Sequence, residues 1–300
     1  MAETDNHQMD LDRLARSFTP TIVTAPTARN GITLVQRLLN STRQTMIFGE
    51  NKQLVEVLPH MAASNHSIHV NMRQELEASR RKFLEETTEY WSSDLWPDTG
   101  RLMMIAFEMF YKAVMAYQQS AQDCGFSKWG IKHPVNGPNT IHVLGQLLQT
   151  ARFVMVYRNP FDVVASAKAR QFITNPAEVA KYAGQWRKNL QAVRDSPPPH
   201  LMMIRHETLT AEPEPVLQEL ETFAGVSGID RSVLSRKINT FQGQTERGHA
   251  PSGYIEPVEL TEQERQLIYD NAGDMLEWAG YTSQGDNQQV GEAPASAAAS

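Results

Sequence analysis

Two segments of the chain each run from a short β-branched or apolar stretch into a helix start, through a loop of cationic, amide and hydroxyl side chains. The first spans Thr21 to Leu34 (Thr-Ile-Val-Thr-Ala-Pro-Thr-Ala-Arg-Asn-Gly-Ile-Thr-Leu). The second spans Phe153 to Ser166 (Phe-Val-Met-Val-Tyr-Arg-Asn-Pro-Phe-Asp-Val-Val-Ala-Ser). Strands that feed helices in this way build a parallel sheet, because parallel neighbours must be joined by a crossover. The start of a helix also presents unpaired N–H groups and the positive end of the helix dipole, so a loop placed there can hold an anion. One such loop also reads as an ordinary surface turn. Two in one chain point to a ligand with two separate phosphate-like groups.

The rest of the chain repeats the alternation. Residues 20–25 read as a short buried strand, followed by a helix over 31–41 with Leu34, Val35, Leu38 and Leu39 on one face. The stretch 50–118 reads as mostly helical, and Trp129 to Pro134 as a strand or loop. Residues 152–157 have the continuous apolar character of a strand buried on both faces. Asn159 is suited to cap the next helix, with Pro160 at its first position and Asp162 in its first turn. A helix over 177–194, a strand over 201–204, a helix over 213–223 closed by Gly225 and a last helix over 261–280 complete the pattern. The expected fold is α/β: a P-loop-like single domain with a central parallel sheet flanked by helices. Its boundaries are expected at 18–283. The long helical stretch, roughly 50–127, is expected to form a cap over the carboxyl edge of the sheet. Residues 1–17 read as a flexible segment or short lead-in helix, and 284–300, rich in Gly, Gln, Ala and Ser, as a disordered tail.

Composition narrows the function. A net charge of −6 gives no general attraction to nucleic acid or to an anionic membrane surface, although it allows a local basic cleft. No apolar run reaches the roughly 18 residues of a membrane helix, and the N-terminus carries no apolar signal core, so a cytoplasmic protein is expected. The single cysteine, Cys124, excludes an internal disulfide framework and a Cys-based zinc cluster. His60, His66 and His69 lack a firm ligand spacing, and no metal is expected. Met103, Met104, Met109 and Met115 read as core rather than as a cofactor box.

The first loop lacks the Gly-x-x-x-x-Gly-Lys-Ser/Thr pattern of nucleotide-hydrolysing loops and offers Arg29, Gly31 and Thr33 instead. Gly31 permits close approach of backbone to an anion, the Thr33 hydroxyl can join the cradle, and Arg29 supplies charge. In the second loop Arg158 can grip phosphate in fork geometry, with Ser166 along the following helix.

Taken together, these segments resemble the two donor signatures of sulfotransferases that use 3′-phosphoadenosine 5′-phosphosulfate (PAPS). The family's first loop reads roughly Arg/Lys-Ser-Gly-Thr-Thr and its second Arg-Asn-Pro-x-Asp-x-x-x-Ser. Arg158, Asn159, Pro160, Asp162 and Ser166 match the second at the family spacing. Ile204-Arg-His-Glu-Thr-Leu209 is similar to the family's Arg-Tyr-Glu-Asp-Leu strand end. Trp129-Gly-Ile-Lys-His-Pro134 resembles the Trp-Gly-x-Lys-Thr-Pro segment of bacterial members. The resemblance covers about residues 20–282. The chain departs from the pattern where Asn30 replaces Ser or Thr, where Ile32 replaces Thr, and where His206 stands for Tyr.

The resemblance implies transfer of a sulfuryl group from PAPS, without a metal, to a hydroxyl or amine. It places Arg29, Asn30, Gly31, Ile32 and Thr33 on the 5′-phosphosulfate, Arg158 and Ser166 on the 3′-phosphate, and Arg247-Gly248 as an abbreviated Arg-Lys-Gly loop on the same phosphate. Glu50, soon after the first helix, stands where tyrosylprotein and some carbohydrate-type members carry their base. His133, beside Lys132, is the rival, and Lys132 with Arg29 would stabilise the leaving nucleotide. Phe161 and Trp186 read as packing residues. The acceptor is expected to be a small molecule, sugar or peptide, and a homodimer is allowed. Two other functions compete: a catalytically impaired nucleotide-binding protein of the same fold, resting on Asn30 and Ile32, and a P-loop kinase-like enzyme using ATP.

Overall fold

The computed structural model describes residues 11–85, 95–135, 137–239 and 253–282. Five strands, β1 (Thr21–Thr24), β2 (Thr45–Phe48), β3 (Lys128–Lys132), β4 (Arg152–Tyr157) and β5 (Leu201–Arg205), form one sheet in the order β2-β3-β1-β4-β5, with every neighbouring pair parallel. The helices are α1 (Ile32–Ser41), α2 (Leu58–Glu85, entered through a π-turn at Gln53–Val57), α3 (Thr99–Asp123) and α4 (Thr140–Leu147). They continue with α5 (Pro160–Ala169), α6 (Pro176–Asp195), α7 (His206–Ala211), α8 (Pro213–Ala224) and α9 (Glu262–Leu276). None of the described helices is long and apolar enough to cross a membrane.

Both faces of the sheet are covered, which is why the central strand β4 reads as an unbroken apolar run, Phe153 to Tyr157. Val23, Val154, Val156, Met202 and Ile204 pack against Val35, Leu38 and Leu39 of α1 and Leu217 and Leu220 of α8. Ile22, Ile131, Phe153 and Met155 pack on the opposite face against Phe110, Tyr111 and Val114 of α3 and Ile141 and Leu144 of α4. A third cluster, around the fully buried Trp186, joins α5, α6 and α9. The anticipated caps are present. The Asn159 side chain accepts from the Phe161 N–H at 3.0 Å, and Gly225 closes α8 in the left-handed region. Thr261 and Glu264 form a reciprocal capping box on α9.

Three differences separate this architecture from the sequence reading. The strand β2 is only four residues long at the sheet edge and carries no local signal beyond Met46-Ile47-Phe48. Helix α4 is likewise not anticipated. Of the stretch read as a flexible segment or a short lead-in helix, residues 11–17 are helical, with Ala15 and Phe18 buried and the Ala15 carbonyl accepting from the Gln149 N–H at 2.9 Å. Of the expected cap, helix α3 instead forms a layer against the sheet. Helix α3 carries Phe107, Phe110, Tyr111 and Val114, and it buries them on the sheet face that α1 and α8 leave bare. Of the methionine stripe, Met103 packs against this cluster while Met109 and Met115 are exposed. Residues 1–10 and 283–300 lie outside the described residues.

The register aligns the strand ends. Val23 lies opposite Lys132 and Val154, and Tyr157 opposite Arg205. The loops after β1, β3, β4 and β5 therefore open on one edge, where ligands sit in parallel α/β sheets. Gly130, in the Trp-Gly-Ile-Lys segment, serves this alignment. A Cβ there would lie 2.1 Å from the Thr21 carbonyl oxygen, a backbone atom of the neighbouring strand. Gly130→Ala is expected to force β1 and β3 apart and cost about 3 kcal/mol or more. Chemical denaturation of the purified variant measures this, and an unchanged midpoint would contradict the close approach.

Candidate active site

The first loop, between β1 and α1, is bent by two left-handed residues, Arg29 at φ 73° and Gly31 at φ 98°, on either side of Asn30. Asn30 is fully buried. Its Nδ2 donates to the Thr27 carbonyl at 2.8 Å and to the Thr27 hydroxyl at 2.9 Å, and its Oδ1 accepts from the Arg158 backbone N–H at 2.9 Å. The side chain expected to hold phosphate thus ties the first loop to the second. Ile32, the other departure from the family pattern, points into the core beneath α1. Neither side chain is available to a donor nucleotide, so the first loop can offer an anion its backbone, Thr33 and Arg29. Helix α6 clamps the same loop: the Tyr182 hydroxyl donates to the Ala28 carbonyl at 3.0 Å, and the Asn189 amide to the Pro26 carbonyl at 2.6 Å.

In the second loop, the Arg158 Nη2 donates to Asp162 at 3.3 Å, while its buried Nε has no hydrogen-bond partner among the described residues. Ser166 is buried one turn beyond Asp162 on α5, and its Oγ accepts from the Arg29 Nε at 3.2 Å. The Arg29 Nη2 reaches the Asn239 carbonyl at 3.2 Å. Arg29, placed by sequence with the first loop's phosphate, therefore stands beside Ser166 of the second. Burial, followed by the charge of Arg170, pulls its pKa below the usual guanidinium value, and Arg158 adds to the effect. Glu207 braces this end of the sheet. Its Oε1 accepts from the Asn159 N–H and its Oε2 from the Tyr281 hydroxyl, each at 2.9 Å.

A separate group forms where β2 and β3 end. The Lys132 ammonium donates to Glu50 Oε1 at 2.9 Å and lies 3.5 Å from the Thr33 hydroxyl. The Glu50 side chain is 53% exposed, and that of Lys132 only 12%. Lys132 and His133 diverge, as neighbours at a strand end do. The His133 ring is buried, with Nε2 3.2 Å from Glu56 Oε1, and its backbone N–H donates to the Val23 carbonyl. Of the two candidate bases, only Glu50 joins the Lys132–Thr33 group. Arg247 and Gly248 lie outside the described residues. Phe161 and Trp186 are buried packing residues, and the Trp186 Nε1 donates to the Arg158 carbonyl at 3.1 Å. Sequence reasoning passed over Arg170, Tyr182 and Glu56. Of these only Arg170 had a usable signal, lying four residues after Ser166 at the end of the same helix.

A family model described as the sulfotransferase family matches residues 20–230. The chain belongs to the sulfotransferase family. Solved structures similar to it include the sulfotransferase domain from the Synechococcus PCC 7002 olefin synthase. That match has 15% identity and a TM-score of 0.45, covering 85% of this chain and 95% of that one. Sulfotransferase STF9 from Mycobacterium avium matches at 15% identity and a TM-score of 0.42, covering 91% of this chain and 80% of that one. The sulfotransferase domain from the curacin biosynthetic pathway matches at 17% identity and a TM-score of 0.45, covering 85% and 98% respectively. A search of curated protein sequences gives no match.

The space between the two groups, at the sheet edge where the loops after β1, β3, β4 and β5 open, is the candidate active-site crevice. A cavity of about 780 Å³ between α6 and α9 is lined by none of Arg29, Glu50, Lys132, Arg158 or Ser166, and lies outside this crevice. Among the described residues no group of three or more His, Cys, Asp or Glu side chains is arranged to hold a metal.

His206 closes the floor of the first loop. A Cβ at Gly31 would lie 2.3 Å from its Cδ2, so the positive φ and the tight contact both require glycine there. Burial, with the nearby Arg158 charge, pushes the His206 pKa down to about 4, against a weaker opposing pull from Asp162. Its folded pKa lies below the unfolded value near 6.5, so the unfolded chain binds the extra proton between those limits. Its contribution is complete above about pH 6.5 and is lost as the pH falls towards 4, by up to about 3 kcal/mol. The unfolding free energy is expected to rise from pH 4 to 6.5, and His206→Gln is expected to flatten that rise. Equal slopes for the two proteins in denaturant titrations would contradict a buried neutral imidazole.

Proposed function

We propose that this sulfotransferase moves a sulfuryl group from PAPS to a hydroxyl or amine of a small-molecule, sugar or peptide acceptor. The observation that carries the reading is the presence of cations at two places along one loop, Arg29 with Ser166 and the charge of Arg158 on one side, and Lys132, between Glu50 and Thr33, on the other. A nucleotide with phosphate on its ribose 3′ position and phosphosulfate on its 5′ position has the matching charge distribution. The buried Arg158 Nε, without a hydrogen-bond partner among the described residues, fits a phosphate oxygen as its acceptor. In this reading Arg29 serves the 3′-phosphate together with Arg158 and Ser166. The helix start at Gly31–Thr33 and the Lys132 ammonium serve the 5′ end.

PAPS, when bound, supplies an activated sulfuryl group. The chain's residues supply position and charge. Glu50 is the half-exposed carboxylate within reach of an incoming acceptor and takes its proton. Lys132 sits between Glu50 and Thr33, where it can neutralise charge that develops on the leaving oxygen. The buried Glu56–His133 pair lies behind this group and serves the frame. The departures at Asn30 and Ile32 do not count against turnover, because their side chains are committed to the scaffold.

Calorimetry with 3′,5′-phosphoadenosine and with ATP separates this reading from a kinase-like one. Binding of the former at least ~100-fold more tightly is expected, and tight ATP binding with none of the phosphoadenosine would overturn it. Turnover of radiolabelled PAPS over an acceptor panel separates the enzyme from an inert binder. Glu50→Gln is expected to lower kcat by about a hundredfold or more while nucleotide affinity stays within about twofold. Full turnover in that variant, with loss in His133→Ala, would move the base to His133.

A further inference from the structure

Helix α5 carries Asp162 and Ser166 four residues apart on one face, and Arg170, its C-cap residue, follows four residues beyond the serine that meets Arg29. The helix then stops abruptly. The Phe172 N–H donates back to the Ala167 carbonyl and the Gln171 N–H to the Lys168 carbonyl, both at 2.9 Å, with Gln171 in the left-handed region at φ 59°. This is the closing turn that glycine normally takes, built here with a glutamine. Its result is to turn Phe172 outward, half exposed, beside the arginines. The Arg29 and Arg170 guanidiniums each lie 6.0 Å from the Phe172 ring centroid.

Two guanidiniums, that of Arg29 beside Ser166 and that of Arg170, thus flank one aromatic ring, and the charge of a third, Arg158, also acts on Arg29. Burial and mutual repulsion both disfavour this in water: the Arg29 pKa is depressed by burial and then by Arg170, and that of Arg170 by burial. A single guanidinium is enough for a singly charged group. Several acting together are matched to a compact dianion, whose binding relieves the repulsion and uses several forks at once.

We propose that Arg170 is a ligand of the donor's 3′-phosphate and that Phe172 holds the Arg29 and Arg170 guanidiniums in place for it, making this turn the element that selects 3′-phosphorylated nucleotides. The proposal rests on the donor reading above. It predicts that selectivity depends on α5's last turn as much as on the Arg158–Ser166 signature.

Titration calorimetry of the full chain with 3′,5′-phosphoadenosine and with 5′-AMP tests it. The wild-type chain is expected to prefer the former. Arg170→Gln is expected to weaken 3′,5′-phosphoadenosine about tenfold or more while 5′-AMP changes by less than about twofold. Arg170→Lys keeps the charge and is expected to retain part of the preference. Phe172→Leu leaves both charges but removes the ring, and is expected to reduce the preference by about two- to fivefold. An unchanged preference in Arg170→Gln, or equal losses for both nucleotides, would overturn this inference and leave the donor reading standing. If Arg170→Gln does not fold, the graded response of the Lys and Leu variants decides, and wild-type preference in both would overturn it. Failure of the wild-type chain to bind 3′,5′-phosphoadenosine would overturn both.

Discussion

The buried carboxamide of Asn30 holds the two loops of the site together. Its donor side is satisfied within the first loop by Thr27, and its acceptor side takes the Arg158 N–H from the end of β4. A buried polar group left without its partner costs on the order of 1–3 kcal/mol, so this amide strongly specifies one arrangement of β1 and β4. Everything on the cationic side of the crevice follows from it. With Arg158 anchored by its backbone, its side chain is free to turn towards Asp162. With the first loop pinned, Arg29 adopts a left-handed conformation and meets Ser166, 137 positions away.

The same logic of ties between strand ends governs the other side. β3 lies between β2 and β1, and its last residue and the one that follows are pulled in different directions. Lys132 meets Glu50, which follows β2, and His133 meets Glu56 in the π-turn before α2. The result is one charged pair facing the crevice and one buried behind it, with a short stretch of chain from 50 to 57 spanning both. Glu207 does the corresponding work at β5, joining the Asn159 backbone to Tyr281. Residues that look like motif members by spacing thus divide into those that face the open edge of the sheet and those that hold the facing residues in place.

Much of this was legible in the chain. Asn159 and Pro160 announce a helix start because a capping amide and a fixed φ suit those positions wherever they occur. The strand β4 shows as an apolar run because both sheet faces are covered. What was not legible has a common cause. Strand β2 is too short to carry a pattern and exists through its pairing with β3. Helix α3 has the composition of any buried helix, and only the bare face of the sheet decides where it packs. Arg170 and Phe172 gain meaning from Arg29, which reaches them through space and not along the chain.

The sequence by itself determined the order of strand, loop and helix, the caps that start and stop the helices, the sulfotransferase family and the chemical types present at each loop. These are local properties, set by side-chain shape, backbone preference and periodicity over a few residues. The tertiary structure alone decided which charges share a pocket. It moved Arg29 from the first loop's phosphate to Ser166, turned Asn30 and Ile32 inward, and separated Glu50 from His133. Those outcomes depend on the register of parallel strands brought together from distant parts of the chain, and on burial that only the assembled sheet and helices create.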